Sequence, residues 1–208
     1  MNSDPHLNGM KDLSDDYWTP LWELCSDKGA PINFHIGASD SSSSWFGNAP
    51  WPSMNPAEKL AIGSAMMFIG NSQVVGNLII SGLLERFPKL KFVSVESGVG
   101  WLPFLLEALE YQISETGANL NGKYSLTPLE YFRRNIFACF WFEQQDFSYI
   151  ARKLGIDNVM FESDFPHPTC LFPDPLSSAE KSLEGFSAEE KAKVLSLNAA
   201  RCYNLDLD

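Results

Sequence analysis

Four short apolar segments, separated by helical sequence, constrain the fold of this chain more than any other feature. They cover residues 31–36, 91–95, 136–140 and 159–161. Strands that alternate with helices predict a parallel sheet, because each parallel pair needs a long crossover connection. A closed barrel of eight such strands typically takes about 250 residues. We therefore expect an α/β fold in which about four parallel strands and their flanking helices form part of a TIM-like (β/α) barrel.

Helical periodicity and capping sequences fill the intervals between these strands. The predicted helices cover 17–27, a helix that begins at Asn55, 73–86, 103–114, a helix that begins at Thr127, 144–154, and two closing helices that begin at Ser177 and Ser187. Because strand and helix segments alternate along the whole chain, we expect one domain rather than two.

Three polar side chains lie at the carboxyl ends of predicted strands. His35 lies near the end of the first strand, and Asp164 and His167 follow the fourth. Ligands of α/β folds bind at this end of the sheet. Taken separately, Asp164 could cap a helix or pair with an arginine, and a lone histidine in an apolar strand is more often a core residue. Two imidazoles and an acid at one end of the sheet favour a metal site.

Several motifs, read together, add a resemblance to a known family. They are His35-Ile36-Gly37-Ala38, the segment 95–103 with Glu96, Ser163-Asp164-Phe165-Pro166-His167-Pro168, and Asn198-Ala199-Ala200-Arg201. In this order they resemble the C-terminal half of an amidohydrolase-related (β/α)8 barrel, in the aminocarboxymuconate-semialdehyde decarboxylase-like group. The resemblance implies that the four predicted strands are barrel strands 5 to 8.

The resemblance also implies roles for individual residues. His35 matches a ligand of a divalent metal ion, for which Zn²⁺ is the expected identity. Asp164 matches a residue that binds the metal or acts as the catalytic acid or base, and His167 matches a residue that orients Asp164 or lines the substrate pocket. Glu96 stands where many relatives have a histidine. A carboxylate there can bind metal, relay a proton or hold an arginine, so its role stays open.

The family's first-strand pair, His-x-His or Glu-x-His, does not occur in this sequence. His6 lies in a polar leader, residues 1–14, and is expected at the surface. We expect the chain, 1–208, to be a fragment of a longer barrel or to pair with another copy or a missing N-terminal half. The predicted inward side chains would then lack opposite neighbours; they are Phe34, Val93, Val95, Phe137, Cys139 and Met160.

The resemblance implies a metal-dependent decarboxylase, a carbon–carbon lyase, acting on a small unsaturated or aromatic carboxylic acid. The same ligands serve hydrolysis, so a metal-dependent hydrolase of the same superfamily is an alternative. His35 and Asp164 alone fall short of the three protein ligands usual for catalytic zinc. An inactive fragment or a partner-binding half-barrel is therefore a second alternative.

Composition narrows the partners and the compartment. A net charge of −11 disfavours nucleic acid and anionic membranes as partners. Four widely spaced cysteines and the lack of a signal-peptide pattern indicate a cytoplasmic protein with reduced thiols. The loop 39–55, with Trp45, Phe46 and Trp51, is expected over the site, as a lid or as a subunit contact. Arg133 and Arg134 precede the third strand and are expected to be surface or salt-bridged residues.

Overall fold

The protein is described by a computed structural model that covers residues 1–44 and 50–207. Its centre is a parallel sheet of four strands in the order β1-β2-β3-β4. The strands are β1 (Ile32–His35), β2 (Phe92–Val95), β3 (Ile136–Phe140) and β4 (Val159–Phe161). Neighbouring strands are in register, with Ile32 opposite Phe92 and Phe92 opposite Ile136. This arrangement confirms the predicted partial barrel and places all four carboxyl ends at one edge.

Helices precede, connect and follow the strands. They are α1 (Thr19–Lys28), α2 (Asp40–Ser43), α3 (Pro56–Phe68), α4 (Asn71–Ser81), α5 (Leu83–Arg86), α6 (Leu102–Thr116), α7 (Pro128–Asn135), α8 (Phe147–Leu154), α9 (Pro175–Ser182), α10 (Ala188–Ala192) and α11 (Asn198–Tyr203). A π-helical turn, Lys193–Leu197, joins α10 to α11. None of the described helices is long and apolar enough to cross a lipid bilayer.

Several helices begin at the capping residues that the sequence predicts. Asn55, Thr127 and Ser187 each form a capping box with a glutamate three residues later. The predicted start at Ser177 is wrong, because Asp174 caps α9 by accepting from the Ser177 N–H. The helix predicted over 73–86 is divided at Gly82, whose φ of +85° ends α4 and begins α5.

Alternation along the strands separates an outer face from an inner face. Phe34, Phe92 and Phe140 point outward into the main core, where they meet Trp22 of α1 and Phe147 of α8. The prediction that Phe34 points inward is therefore wrong. His35 is the inward residue at this end of β1, because successive side chains of a strand alternate between faces.

The inner face of the sheet is covered by the end of the closing helix. Cys202 of α11 packs in a buried cluster with Val93, Phe137, Cys139 and Met160. The Tyr203 hydroxyl also donates to the Asn33 side chain of β1 at 2.8 Å. The expectation that these inward residues lack opposite neighbours is thus wrong, because α11 crosses from β4 toward β1 and excludes water from them.

Buried asparagines tie the amino ends of the strands together. Asn135 donates to the Leu90 carbonyl at 2.7 Å, Asn158 to the Ile136 carbonyl at 2.8 Å, and Asn198 to the Val159 carbonyl at 2.8 Å. Each asparagine thus satisfies a buried carbonyl at or just before the start of a strand, where an unpaired buried oxygen would be costly.

The N-terminal residues pack on the domain. Pro5–Asn8 forms a 3₁₀ turn, Leu13 enters the main core, and His6 is exposed. The predicted loop 39–55 begins with the short helix α2, and Trp51 is exposed. Trp45 and Phe46 lie outside the described residues.

Candidate active site

A cleft of about 550 Å³ lies at the carboxyl ends of the strands. It brings together all four candidate residues from the sequence: His35, Glu96, Asp164 and His167. His35 ends β1, Glu96 follows β2 directly, and Asp164 and His167 lie in the loop after β4. The topology therefore brings residues that are far apart in sequence into one cleft.

His35 is held by two hydrogen bonds with distinct roles. Its Nδ1 lies 2.6 Å from the carbonyl oxygen of Ile36, and its Nε2 lies 2.7 Å from Oε2 of Glu96. Because a carbonyl oxygen only accepts, Nδ1 carries the proton. In the neutral ring Nε2 then holds the lone pair, which is the form that a metal ligand requires.

Glu96 connects the two predicted metal ligands. Its carboxyl group contacts His35 on one side and hydrogen-bonds Asp164 on the other. Burial, the hydrogen bond and negative charge of Asp164, and the charge of Glu162 together raise the pKa of Glu96 to about 8. At neutral pH in the absence of a cation, Glu96 therefore holds a proton between His35 and Asp164.

Asp164 is oriented by the loop that follows it. Its Oδ2 lies 3.2 Å from Nδ1 of His167 and accepts a hydrogen bond from the Thr169 hydroxyl at 3.2 Å. His167 Nδ1 lies 2.8 Å from the same hydroxyl. The three side chains form a closed local set, in which His167 and Thr169 fix the direction of the Asp164 carboxylate.

Glu162 supports the site from behind. It follows β4 directly, and its Oε1 accepts the backbone N–H of Glu96 at 2.9 Å. Burial raises the pKa of Glu162 to about 8, although hydrogen bonds from the Glu96 N–H and the Cys139 thiol oppose the shift. Glu162 is not among the residues predicted from the sequence. Strand alternation is the signal that could have found it, because it places residue 162 on the same inner face as Met160.

A second glutamate, Glu143, holds the loop that follows Glu96. Its Oε1 accepts the N–H groups of Val99 and Gly100 at 2.8 and 2.7 Å. Its Oε2 is enclosed without a hydrogen-bond partner among the described residues, and burial raises the pKa of Glu143. Local sequence carries no signal for this contact, because it joins segments 44 residues apart.

Both strand-end acids that face the cleft adopt left-handed backbone conformations. The φ angle is +58° at Glu96 and +60° at Asp164. L-residues rarely adopt this region, which costs on the order of 1 kcal/mol. The surrounding hydrogen bonds therefore maintain two strained turns, each of which presents a carboxylate to the cleft.

The donor set fits a divalent cation. Glu96, Asp164 and His167 each offer one ligand atom, and these atoms lie within 4.8 Å of one another. No lysine or arginine is among the described residues that line the cleft, so its carboxylates have no protein cation there. Mixed oxygen and imidazole donors suit Zn²⁺ and Mn²⁺. His35 adds a fourth candidate ligand through its contact with Glu96.

A family profile described as amidohydrolase matches residues 1–205. The chain belongs to the amidohydrolase family. The predicted resemblance to amidohydrolase-related barrels is thereby confirmed. A search of curated proteins finds no match.

Several solved structures are similar to this chain in fold. An amidohydrolase, map2389c, from Mycobacterium avium subsp. paratuberculosis K-10 is 25% identical with a TM-score of 0.71, and the match covers 94% of this chain and 47% of that one. The 5-carboxyvanillate decarboxylase LigW from Sphingomonas paucimobilis is 24% identical with a TM-score of 0.60, and the match covers 93% of this chain and 55% of that one. The chain thus spans about half the length of these structures.

A third structure contains a metal ion. Dihydroxybenzoic acid decarboxylase from Polaromonas sp. JS666, with bound manganese and the inhibitor 2-nitroresorcinol, is 18% identical with a TM-score of 0.64. The match covers 94% of this chain and 56% of that one. At this identity the likeness concerns the fold alone.

Proposed function

We propose that this amidohydrolase-family chain supplies half of the active site of a metal-dependent decarboxylase. The observation that carries the proposal is the Glu96 carboxyl group, which contacts both His35 and Asp164 at the carboxyl ends of three strands. Because the pKa of Glu96 is raised to about 8, this group holds a proton at neutral pH, where a divalent cation would otherwise neutralise the neighbouring acids. The imidazole tautomer of His35 already presents Nε2 to this point.

His35 and Asp164 would hold the ion, with Glu96 as the adjoining carboxylate. When bound, the cation supplies positive charge that binds an anionic substrate and stabilises negative charge as it develops. In decarboxylation the electron pair of the breaking carbon–carbon bond stays on the substrate, CO₂ leaves, and the carbon takes a proton. Glu96 and Asp164 are the groups of this chain placed to hold that proton. His167 positions Asp164 through the contact at 3.2 Å.

The walls of the cleft support a small unsaturated or aromatic acid as the substrate. Ile36, Met67, Phe68, Phe165 and Pro166 contribute apolar surface around the acidic centre. Such walls would bind a flat apolar body, and a bound cation would attract the carboxylate of the substrate. Two of the similar structures, 5-carboxyvanillate decarboxylase and dihydroxybenzoic acid decarboxylase, agree with this class.

The activity belongs, in this proposal, to a barrel that contains more than these strands. The chain spans about half the length of the similar structures, and the family's first-strand ligand pair does not occur in it. We propose that a further polypeptide segment supplies the remaining ligands. We also propose a cytoplasmic location. The four cysteines of the described chain are free thiols, as is usual in that compartment.

Metal binding is the first test. Purified protein, stripped with a chelator and titrated with Mn²⁺ or Zn²⁺ by calorimetry, should bind one ion per chain. His35→Ala and Asp164→Asn should lose this binding, whereas His6→Ala and Asp27→Asn, which change exposed residues of the same types, should keep it. If all four variants bind metal as the unsubstituted protein does, the proposed site is wrong.

The reaction is tested separately. The metal-loaded chain, alone and mixed with the part of map2389c that the match leaves uncovered, is incubated with 5-carboxyvanillate and dihydroxybenzoates. Release of CO₂ that requires Asp164 supports a decarboxylase. Hydrolysis of an ester or amide panel without CO₂ release, by a protein that binds metal normally, would identify the alternative hydrolase.

A further inference from the structure

A second cleft, of about 610 Å³, lies at the amino ends of β2, β3 and β4, at the opposite end of the sheet from the candidate active site. We name it the amino-end cleft and define it by four cationic side chains that line it: Lys91, Arg133, Arg134 and Arg201. These four come from three separate parts of the chain and converge only in the fold.

The charge of the amino-end cleft is opposite to that of the whole chain. The chain has a net charge of −11 and 15 lysines and arginines, of which four meet here. Among the described residues, none of the four lies within 4.0 Å of a carboxylate. Asp157 is the one acid among the described lining residues, and its side chain pairs with Lys193 at 3.2 Å. Arg133 and Arg134 are exposed, as the sequence predicts for surface residues, and neither forms a salt bridge with a described residue.

Backbone carbonyls fix the cations in place without neutralising them. Arg133 donates through Nε to the Leu154 carbonyl at 3.0 Å, and Arg134 donates through Nη2 to the Leu84 carbonyl at 2.6 Å. Each guanidinium makes a second bond within the protein, from Arg133 Nη2 to the Lys153 carbonyl at 2.8 Å and from Arg134 Nε to the Asn135 side-chain oxygen at 2.8 Å. A guanidinium group has five N–H donors, so three of each group stay available.

The other two cations are held in the same way. Arg201 donates to the Asp157 carbonyl and lies over the Phe137 ring at 5.5 Å, and Lys91 Nζ lies 3.3 Å from the Arg201 carbonyl. Preorganised donors lower the entropic cost of binding a ligand. The cleft thus holds several fixed positive groups with unused donors. Glu85 and Glu130 interact electrostatically with Arg134 and Arg133, but no carboxylate among the described residues lies within 4.0 Å of the four cations.

We propose that the amino-end cleft binds a small polyvalent oxyanion, with phosphate or carboxylate groups that Arg133, Arg134 and Arg201 recognise. Planar guanidinium groups match both kinds of oxyanion through paired hydrogen bonds. Four converging cations favour more than one negative charge on the ligand. The cleft volume suits a compact anion, and the negative charge of the rest of the chain disfavours an extended one such as nucleic acid. This proposal does not depend on the decarboxylase function.

Calorimetry on metal-free protein tests the proposal, with tripolyphosphate and citrate as separate probes for the two oxyanion types. We expect one binding event per chain that weakens as the salt concentration rises. Lys91→Gln should weaken it about tenfold, because a charge-assisted contact is lost. Lys181→Gln, which removes an exposed lysine of α9, should leave the affinity unchanged.

Two further variants separate the proposal from simpler explanations. Arg201→Lys keeps the positive charge but removes the planar guanidinium group, so we expect it to bind the anion more weakly. Its circular dichroism spectrum should match that of the unsubstituted protein, which shows that the fold is kept. Asp164→Asn should leave the affinity unchanged, whereas an anion bound at the candidate active site of the metal-free protein would bind more tightly once this negative charge is removed. Absence of heat with both probes, equal affinity in Lys91→Gln, or a similar loss in Lys181→Gln would each overturn the proposal. Binding of a long oligonucleotide in preference to both probes would do so too.

Discussion

The backbone N–H of Glu96 donates to the carboxyl group of Glu162 at 2.9 Å, which joins the exit of β2 to the exit of β4 across the intervening strand. The two segments are 66 residues apart in sequence. This bond holds the left-handed turn at Glu96 and so sets where its side chain meets His35. Glu162 is thus a positioning residue for the candidate site.

Replacing Glu162 with alanine should destabilise the protein and disturb the site. The substitution leaves the Glu96 N–H without an acceptor, which costs about 1–3 kcal/mol in a buried setting. Urea unfolding measures the loss, and Glu184→Ala, at an exposed position, is the control. We also expect metal affinity to fall in Glu162→Ala but to be largely kept in Glu162→Gln, which retains an acceptor oxygen.

The stability of the metal-free protein should decrease as pH rises from about 4.5 to about 8. Glu96 and Glu162 both have pKa values raised to about 8 from an ordinary 4.5, so in this window the folded chain binds more protons than the unfolded chain. The free energy of unfolding then falls by up to about 1.4 kcal/mol per pH unit for each extra proton. Urea titrations at several pH values measure the slope, which should flatten in a Glu96→Gln, Glu162→Gln double variant.

Metal affinity should change with pH in the opposite direction. A cation near Glu96 displaces the proton that this residue holds, so binding releases a proton and strengthens as pH rises toward 8. Displacement of one proton can raise the metal affinity by at most about tenfold per pH unit. Calorimetry in buffers of different ionisation enthalpy counts the protons released. A pH-independent affinity between about 6 and 8 would show that Glu96 plays no part in the metal site.

Substituting Gly98 with alanine should break the contact between Glu143 and the loop after β2. A Cβ at Gly98 would lie 3.0 Å from Cδ and both carboxylate oxygens of Glu143, and φ is +66°. Gly122, with φ of +63° and no atom within 4 Å of a built Cβ, isolates the cost of the backbone angle. We expect Gly98→Ala to lose at least about 1 kcal/mol more than Gly122→Ala in urea unfolding.

Asn158→Ala should destabilise the sheet by about 1–3 kcal/mol. The side-chain amide of Asn158 donates to the carbonyls of Arg133 and Ile136 at 3.0 and 2.8 Å, and the substitution leaves both oxygens without this donor. Thermal or urea unfolding measures the loss. Asn121→Ala, at an exposed position, should be neutral; equal stability of the two variants would contradict the role given to Asn158.

Local signals in the sequence were sufficient for most elements. The bounds of β3 and β4 agree with the prediction to the residue, because short β-rich segments there are flanked by clear helix ends. Capping boxes at Asn55 and Thr127 marked helix starts for the same reason. The start of α9 was missed because Ser177 and Asp174 are both good caps, and Pro175 between them favours the earlier one.

Contacts between distant segments could not be predicted. Motif order was enough to nominate His35, Glu96, Asp164 and His167 for one site. The bond from Glu96 to Glu162 and the Glu143 contact depend on the packed arrangement of three loops. The covering of the inner face by Cys202 and Tyr203 also has no local signature. The sequence of an amphipathic helix end is the same whether it packs on the inner or the outer face of a sheet.

The closing helix over the inner face makes two thiols useful as built-in reporters. Cys139 of β3 and Cys202 of α11 are buried where the helix meets the sheet, with 6% and 0% of their surface exposed, and burial raises the pKa of both thiols. An alkylating reagent therefore reaches them only when α11 lifts from the sheet, whereas Cys25 and Cys170 are partly exposed throughout. Counting modified cysteines over time by mass spectrometry would measure how often the interior of this half-barrel opens.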